Sequence, residues 1–292
     1  MKYSRFLRLI VFSFVLGCAS EGDLDLQGHR GCRGLFPENS IPGFLHALEM
    51  GVSTLELDVH ISKDGQVVVC HDPYLPAFCM PEKWSDGLMA LRPKVADYTA
   101  NELRDWECGT LPNAKFPHQR KMESYIPTLE EVFQVVETAI RTKGLSPVRY
   151  NIEIKSTLEG DTVFHPEVNE FVRLVLEVIE KANLKNRTII QSFDIRALKA
   201  VHAGSTDWVL ALLVDENEDF QEKMNALGFK PQILSPYYKL ITEQMIGSAH
   251  DAGIQVIPWT VNTRKEAEQL VELNIDGIIT DYPDSLMYLK KN

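Results

Sequence analysis

The chain has 292 residues, 45% of them hydrophobic and 24% charged, and carries a net charge of −11 at neutral pH. This composition excludes a disordered chain and supplies a sizeable core, while the acidic balance excludes sequence-independent nucleic-acid binding, which needs clustered Lys and Arg. The length fits two domains or one α/β barrel.

The N-terminus MKYSRFLRLIVFSFVLGCAS sets Lys2, Arg5 and Arg8 ahead of the apolar run Leu9 to Leu16. Residues 1–17 therefore read as a signal peptide, because the apolar run is too short to span a bilayer as a mature helix. Cys18, directly after Val-Leu-Gly, is similar to a bacterial lipoprotein processing site and is expected to carry a lipid anchor; a plain cleaved signal with Cys18 incidental is the alternative. The protein is expected to be exported and held on a membrane, facing the periplasm or the cell exterior. Cleavage removes three positive charges and no negative one, taking −11 to −14. No later stretch is long and apolar enough to cross a membrane.

The mature chain, residues 18–292, reads as one unit. A first strand in DLQGHRG is followed by a helix near Ile41–Met50 and a second strand in STLELDVHI. QVVVCHD comes too soon after it for a parallel crossover and must fold back antiparallel. With Asp64-Gly65 as a two-residue turn, Lys63 opposes Gln66 and Asp58 faces His71. Residues 73–127 form a long insertion with Trp84, Trp106, Cys79 and Cys108, whose aromatics favour a folded lid. Thr128 and Glu131 then form a capping box at the start of a helix.

From residue 148 onward short apolar runs alternate with amphipathic ones: VRYNIEIK, RTIIQSF, WVLALLV, PQILSPYY, GIQVIPWTV and DGIITDYP are each followed by a helical segment. Such alternation implies parallel strands with helical crossovers. With the two upstream strands the total is eight, the number that closes a (β/α)8 TIM barrel, here with an antiparallel hairpin strand after strand two and a long insertion.

In such a barrel chemistry gathers at the C-terminal strand ends, where the polar residues interrupt these runs: His29 and Arg30, Glu56 and Asp58, Glu153 and Lys155, Gln191, and Trp259 with Asn262. Alternation puts Glu56 and Asp58 on one face and turns Leu55, Leu57 and Val59 outward. Three carboxylates converging on one mouth call for a raised pKa or a bound cation, and oxygen ligands favour Mg²⁺ or Ca²⁺. With Arg30, Lys155 and two histidines alongside, the pocket suits a phosphate. His118, His165, His202 and His250, in loops or on helices, read as surface residues. Cys32, Cys70, Cys79 and Cys108 permit disulfides in an exported protein, with free buried thiols the alternative.

GHRGCRGLFPENSIPGF followed by LELDVHISKDGQVVVCHD, then IPTLEEV, NIEIK and GIITDYP, closely resembles the glycerophosphodiester phosphodiesterase family over nearly the whole mature chain. The resemblance implies hydrolysis of glycerophosphodiesters to an alcohol and sn-glycerol 3-phosphate with one divalent cation, Ca²⁺ or Mg²⁺. It makes Glu56, Asp58 and Glu153 the metal ligands and His29 and His71 the acid and base, in an order left open. A glycerol hydroxyl would attack phosphorus, and water would open the cyclic phosphate that results. Arg30, Lys155, Glu38, Asn39, Gln191 and Trp259 are expected to bind substrate, Glu38 and Asn39 alternatively bracing the ion. Two other functions remain: a lysophospholipase D-like action on lipids, which an apolar groove in residues 73–127 would favour, and a binding lipoprotein that captures phosphorylated ligands without turnover.

Overall fold

The computed structural model describes residues 24–76, 78–81 and 93–290. The signal segment, the anchor residue Cys18 and Trp84 lie outside the described residues. The chain opens with β1 (Asp25–Gly28), α1 (Ile41–Met50) and β2 (Thr54–Ile61), from which β3 (Val67–Val69) returns. The insertion contributes β4 (Met80–Pro81), α2 (Ala100–Arg104) and β5 (Trp106–Glu107) before α3 (Leu129–Lys143). Strand and helix then alternate: β6 (Arg149–Ile154), α4 (Val168–Lys181), β7 (Thr188–Ser192), α5 (Ile195–Gly204), β8 (Val209–Val214) and α6 (Phe220–Leu227). β9 (Ile233–Pro236), α7 (Glu243–Asp251), β10 (Gln255–Val256), α8 (Arg264–Glu272), β11 (Gly277–Thr280) and α9 (Pro283–Leu286) complete the chain.

Eight parallel strands run in the order β10-β9-β8-β7-β6-β2-β1-β11, with β3 paired to β2 off this path. Backbone bonds from Asp276 to Val256 (3.0 Å), Ile279 to Pro258 (3.0 Å) and Val261 to Ile279 (3.0 Å) join the two ends into a barrel. The period-2 reading of β2 holds: Leu55, Leu57 and Val59 are fully buried in the layer shared with the helices.

The barrel interior has two halves. Ile189, Ala211, Ile233, Ile257 and Ile279 fill one with hydrocarbon. On the side of β1, β2, β6 and β7, polar groups climb the bore: Gln27 donates to Asp25 (2.8 Å), Asn151 to Gln27 (2.8 Å) and Gln191 (3.0 Å), and Gln191 to Glu56 (2.8 Å). All five side chains are buried, so these bonds meet polar groups that would otherwise cost about 1–3 kcal/mol each.

The hairpin differs from expectation by one residue. Val59 pairs with Val69 and Ile61 with Val67, so Cys70, not His71, lies opposite Asp58, to whose carbonyl its N–H donates (3.1 Å). The turn is a three-residue loop closed by Ser62 and Gln66, in which Gly65 alone takes a positive φ of 76°. A two-residue type I′ turn would need Asp64 there as well. Asp64 instead accepts from Ser62 Oγ (2.6 Å) and from the Ala100 N–H (2.9 Å), tying the hairpin to the insertion.

The described part of the insertion has its own small core. Leu75, Val95, Leu103 and Trp106 pack with Val68, Cys70 and Ile126, and a Cys79–Cys108 disulfide clips it, while Cys32 and Cys70 are free and buried. These apolar side chains turn inward and are spent on one another. Thr128 caps α3 as expected, accepting from the Glu131 N–H (3.2 Å). The Glu131 carboxylate does not close the box; it accepts from Arg104 (2.6 Å) and the Tyr125 hydroxyl, and a full capping box forms instead at Thr99 and Glu102. His165 is buried rather than on the surface: it takes the Thr157 N–H (3.1 Å) and bonds the Pro166 carbonyl (2.8 Å), closing the loop after β6.

Candidate active site at the barrel mouth

Parallel pairing sets Asp58 beside Glu153, and Glu153 beside Gln191, as direct neighbours on β2, β6 and β7. Side chains on one face of adjacent parallel strands must meet, and one oxygen each of Glu56, Asp58 and Glu153 fall within 4.8 Å of one another. All three are at most 6% exposed.

The loop after β1 wraps this cluster. Arg30 and Gly31 both adopt positive φ (49° and 84°). That reversal lets the Arg30 N–H donate to Glu56 (2.8 Å) while the guanidinium turns back to Glu38 (2.9 Å) and Asp58 (3.3 Å). A side chain at Gly31 would press to 2.9 Å from the backbone of Gly43 in α1, so glycine keeps the loop close. Asn39, also at positive φ, donates its amide to Asp58 (2.9 Å).

Each carboxylate answers to different neighbours. Burial, then Asp58, push the Glu56 carboxyl well above its ordinary range. Burial also raises Glu153, with Lys155 pulling against it. Asp58 goes the other way: burial opposes its charge, but His71, Arg30 and Lys155 outweigh burial and hold it far below the usual carboxylate range. Crowded acids of this kind are what a cation relieves. Asp58 Oδ1 is buried with no hydrogen-bond partner among the described residues, and the donor set is all oxygen, so these residues fit a hard divalent ion.

The two histidines flank the cluster. His29 Nδ1 lies 2.6 Å from Asp281 Oδ1, which turns Nε2 toward Glu56 (3.9 Å). Burial first, then Arg33, lower His29 to about 3 against the pull of Asp281, so its ring is neutral at neutral pH. His71 bonds Asp72 through Nδ1 (2.8 Å) and receives Lys155 Nζ at Nε2 (3.0 Å). Lys155 also pairs with Glu153 (2.8 Å), which with Asp58 overcomes burial and raises its pKa.

The residues named from sequence divide by direction. His29, Arg30, Glu56, His71, Glu153, Lys155, Gln191 and Trp259 line one cavity of about 310 Å³. Glu38 is engaged by Arg30, Asn39 by Asp58, and the Gln191 amide is spent on Glu56 and Asn151. A smaller annex of about 140 Å³ shares His71, Glu153, Lys155 and Phe193 with it and continues to Phe164 and Pro73.

Asp281 and Arg33 had no assigned role. Asp281 accepts from His29, Arg33 Nε (2.5 Å) and Asn262 Nδ2 (2.8 Å), and its contacts with His29 and Arg33 outweigh burial to keep it ionised. The available signal was that Asp281 ends the last strand, which closure of a barrel sets beside the first.

Residues 29–285 match the model of the glycerophosphoryl diester phosphodiesterase family. A Caldanaerobacter subterraneus subsp. tengcongensis protein named glycerophosphodiester phosphodiesterase is 31% identical, over 89% of this chain and 95% of its own. The Rattus norvegicus protein named lysophospholipase D GDPD1 is 28% identical, over 90% and 85% respectively. A crystal structure from Silicibacter pomeroyi DSS-3 superposes with a TM-score of 0.80 at 28% identity, covering 92% of this chain and 93% of that one.

Proposed function

The chain belongs to the glycerophosphoryl diester phosphodiesterase family and is a phosphodiesterase, and from that premise we propose that it splits glycerophosphodiesters into an alcohol and sn-glycerol 3-phosphate, assisted by one Ca²⁺ or Mg²⁺ ion. The observation that carries the metal assignment is the meeting of Glu56, Asp58 and Glu153 around an orphaned Asp58 oxygen. When bound, the ion would neutralise charge on the phosphoryl oxygens.

The remaining work falls to this chain's own groups. Lys155 donates to the phosphoryl group, shifting from its contact with His71, and the Arg30 guanidinium reinforces it. His29 is the base: Asp281 holds the proton on Nδ1, leaving the Nε2 lone pair for the attacking glycerol hydroxyl, and stabilises the imidazolium that forms. His71, which lines the same cavity beside Lys155, is the acid: once Lys155 has turned to the phosphoryl group, Nε2 is free to take up a proton from solvent and pass it to the departing alkoxide. Water then opens the cyclic phosphate with the two roles exchanged. Asn39, Gln191 and the Arg30 N–H fix the ligand carboxylates.

The working protein is proposed to be exported and lipid-anchored through Cys18, a reading that rests on the N-terminal residues. A second reading, cleavage of lysophospholipids, is favoured by Leu158 and Val163, exposed apolar residues (69% and 48%) on the loop that also supplies Phe164 to the annex.

The test is choline release from glycerophosphocholine and from lysophosphatidylcholine, with glycerol 3-phosphate as the co-product of the first and lysophosphatidic acid of the second, with and without EDTA. EDTA is expected to abolish release and added Ca²⁺ or Mg²⁺ to restore it. Release that survives EDTA and the Glu56→Gln substitution rejects the metal assignment, and turnover of the lysolipid alone selects the second reading.

A further inference from the structure

Every charged side chain lining the cavity has an opposite charge or a fixed donor against it, with one exception. Arg30 faces Glu38 and Asp58, Arg33 faces Asp281, Lys155 faces Glu153, and Glu56 takes the Arg30 N–H and the Gln191 amide. Asp215, one residue past β8 and half-buried, receives only weak bonds from Asn217 (3.4 and 3.5 Å), and among the described residues no cation lies within ion-pair distance of it.

Asp215 follows β8, the strand that lends Ala211 to the hydrocarbon half of the bore, and it lines the cavity together with Leu213, Trp259 and Ile279. Trp259 donates its indole N–H to the Ser235 carbonyl (3.0 Å), and Phe193 meets it edge to face (5.4 Å, 86°). The indole is thereby fixed as part of the wall. The ring of Phe193 is already approached by Lys155 (5.8 Å) and Lys223 (5.4 Å), so Trp259 is the aromatic left for a ligand.

An unpaired carboxylate beside an aromatic face is a receptor for an organic cation. The phosphoryl group is committed to the opposite, charged wall, so the part of the substrate that reaches Asp215 is the alcohol. On the premise that this site cleaves glycerophosphodiesters, we propose that Asp215 and Trp259 select a leaving alcohol bearing a positive charge, a quaternary or primary ammonium, over a neutral polyol of similar size. At about 310 Å³ the cavity is at the small end for a ligand site and suits a short diester. The cationic alcohol also makes the substrate neutral overall, which lowers the cost of taking it from water into this pocket.

The experiment compares kcat/KM for glycerophosphocholine and glycerophosphoglycerol in the metal-loaded protein, wild type and Asp215→Asn. A cation–π contact with a partly exposed ion pair predicts a preference for the choline ester of roughly tenfold. Asp215→Asn is expected to cut that ratio about fivefold, and Trp259→Leu to cut it further. Raising salt from 50 to 500 mM narrows the wild-type ratio through screening but not that of Asp215→Asn. Tetramethylammonium is expected to inhibit wild type more strongly than Asp215→Asn. A wild-type ratio near one, or a ratio unmoved by Asp215→Asn, overturns the proposal. Hydrolysis of neither ester marks failure of the phosphodiester reading itself, and the alcohol site falls with it.

Discussion

Replacing Asp281 by Asn keeps shape and volume but removes a charge on which three donors converge. His29 Nδ1, Arg33 Nε and Asn262 Nδ2 lie 2.6, 2.5 and 2.8 Å from its carboxylate oxygens. An amide offers one acceptor and one donor group in their place, so at least one of these contacts becomes donor against donor. If the new amide donates to His29, Nδ1 must accept and the proton moves to Nε2, the atom proposed to receive the glycerol proton. A general base contributes about 10²–10⁴ in rate, and kcat is expected to fall by that factor with KM changed little. Leaving a buried contact of Arg33 unmet costs a further ~1–3 kcal/mol of stability, read separately by urea unfolding. The assay is coupled detection of glycerol 3-phosphate for wild type, Asp281→Asn, His29→Ala and the double variant. Because Asp281 acts through His29, the double variant should be no slower than His29→Ala alone. Multiplying losses, or an Asp281→Asn kcat within threefold of wild type, refute the reasoning.

The Cys79–Cys108 bridge closes a segment with a sequence separation of 29, and a double Cys→Ala variant should lose roughly 3–4 kcal/mol on the chain-entropy account, seen as a lower urea midpoint. A loss below ~1 kcal/mol means that the insertion is held by its own core. Acid sensitivity has a defined sign: burial lowers His60 to about 4 in the folded protein, against about 6.5 unfolded. Its stabilisation is complete above the unfolded value and declines as pH falls from about 6.5 to about 4, by ~3 kcal/mol at most. Thermal unfolding between pH 7.5 and 4.5 should show a shallower decline for His60→Phe than for wild type, and parallel curves reject the assignment.

The eight strands and the acidic cluster were legible because both follow from period 2. Glu56 and Asp58 interrupt an apolar strand on one face, and parallel pairing leaves them no choice but to meet Glu153. What escaped depends on pairing between distant segments. His29 and Asp281 are 252 residues apart, and nothing local to either marks the partnership. Gln27 and Asn151 share strand faces with His29 and Glu153, but only closure of the barrel shows that they bond each other across the bore. The hairpin slipped by one because a dipeptide cannot show that Asp64 has a competing partner in Ala100. His165 was misplaced for a similar reason, since its burial depends on a loop folding over it.

The unequal halves of the bore bear on how such an enzyme can diversify. The groups proposed to hold the ion and the phosphate hang on β1, β2 and β6, and Glu56 among them is tied through Gln191, Asn151 and Gln27 down to Asp25. Exchange of one member there strands its neighbours. The wall proposed to meet the alcohol is hydrocarbon with a few rim groups from the loops after β7, β8 and β10, and apolar contacts tolerate swaps of similar volume at modest cost. Drift can therefore retune which ester is accepted on one side of the barrel while the reaction itself is inherited unchanged on the other.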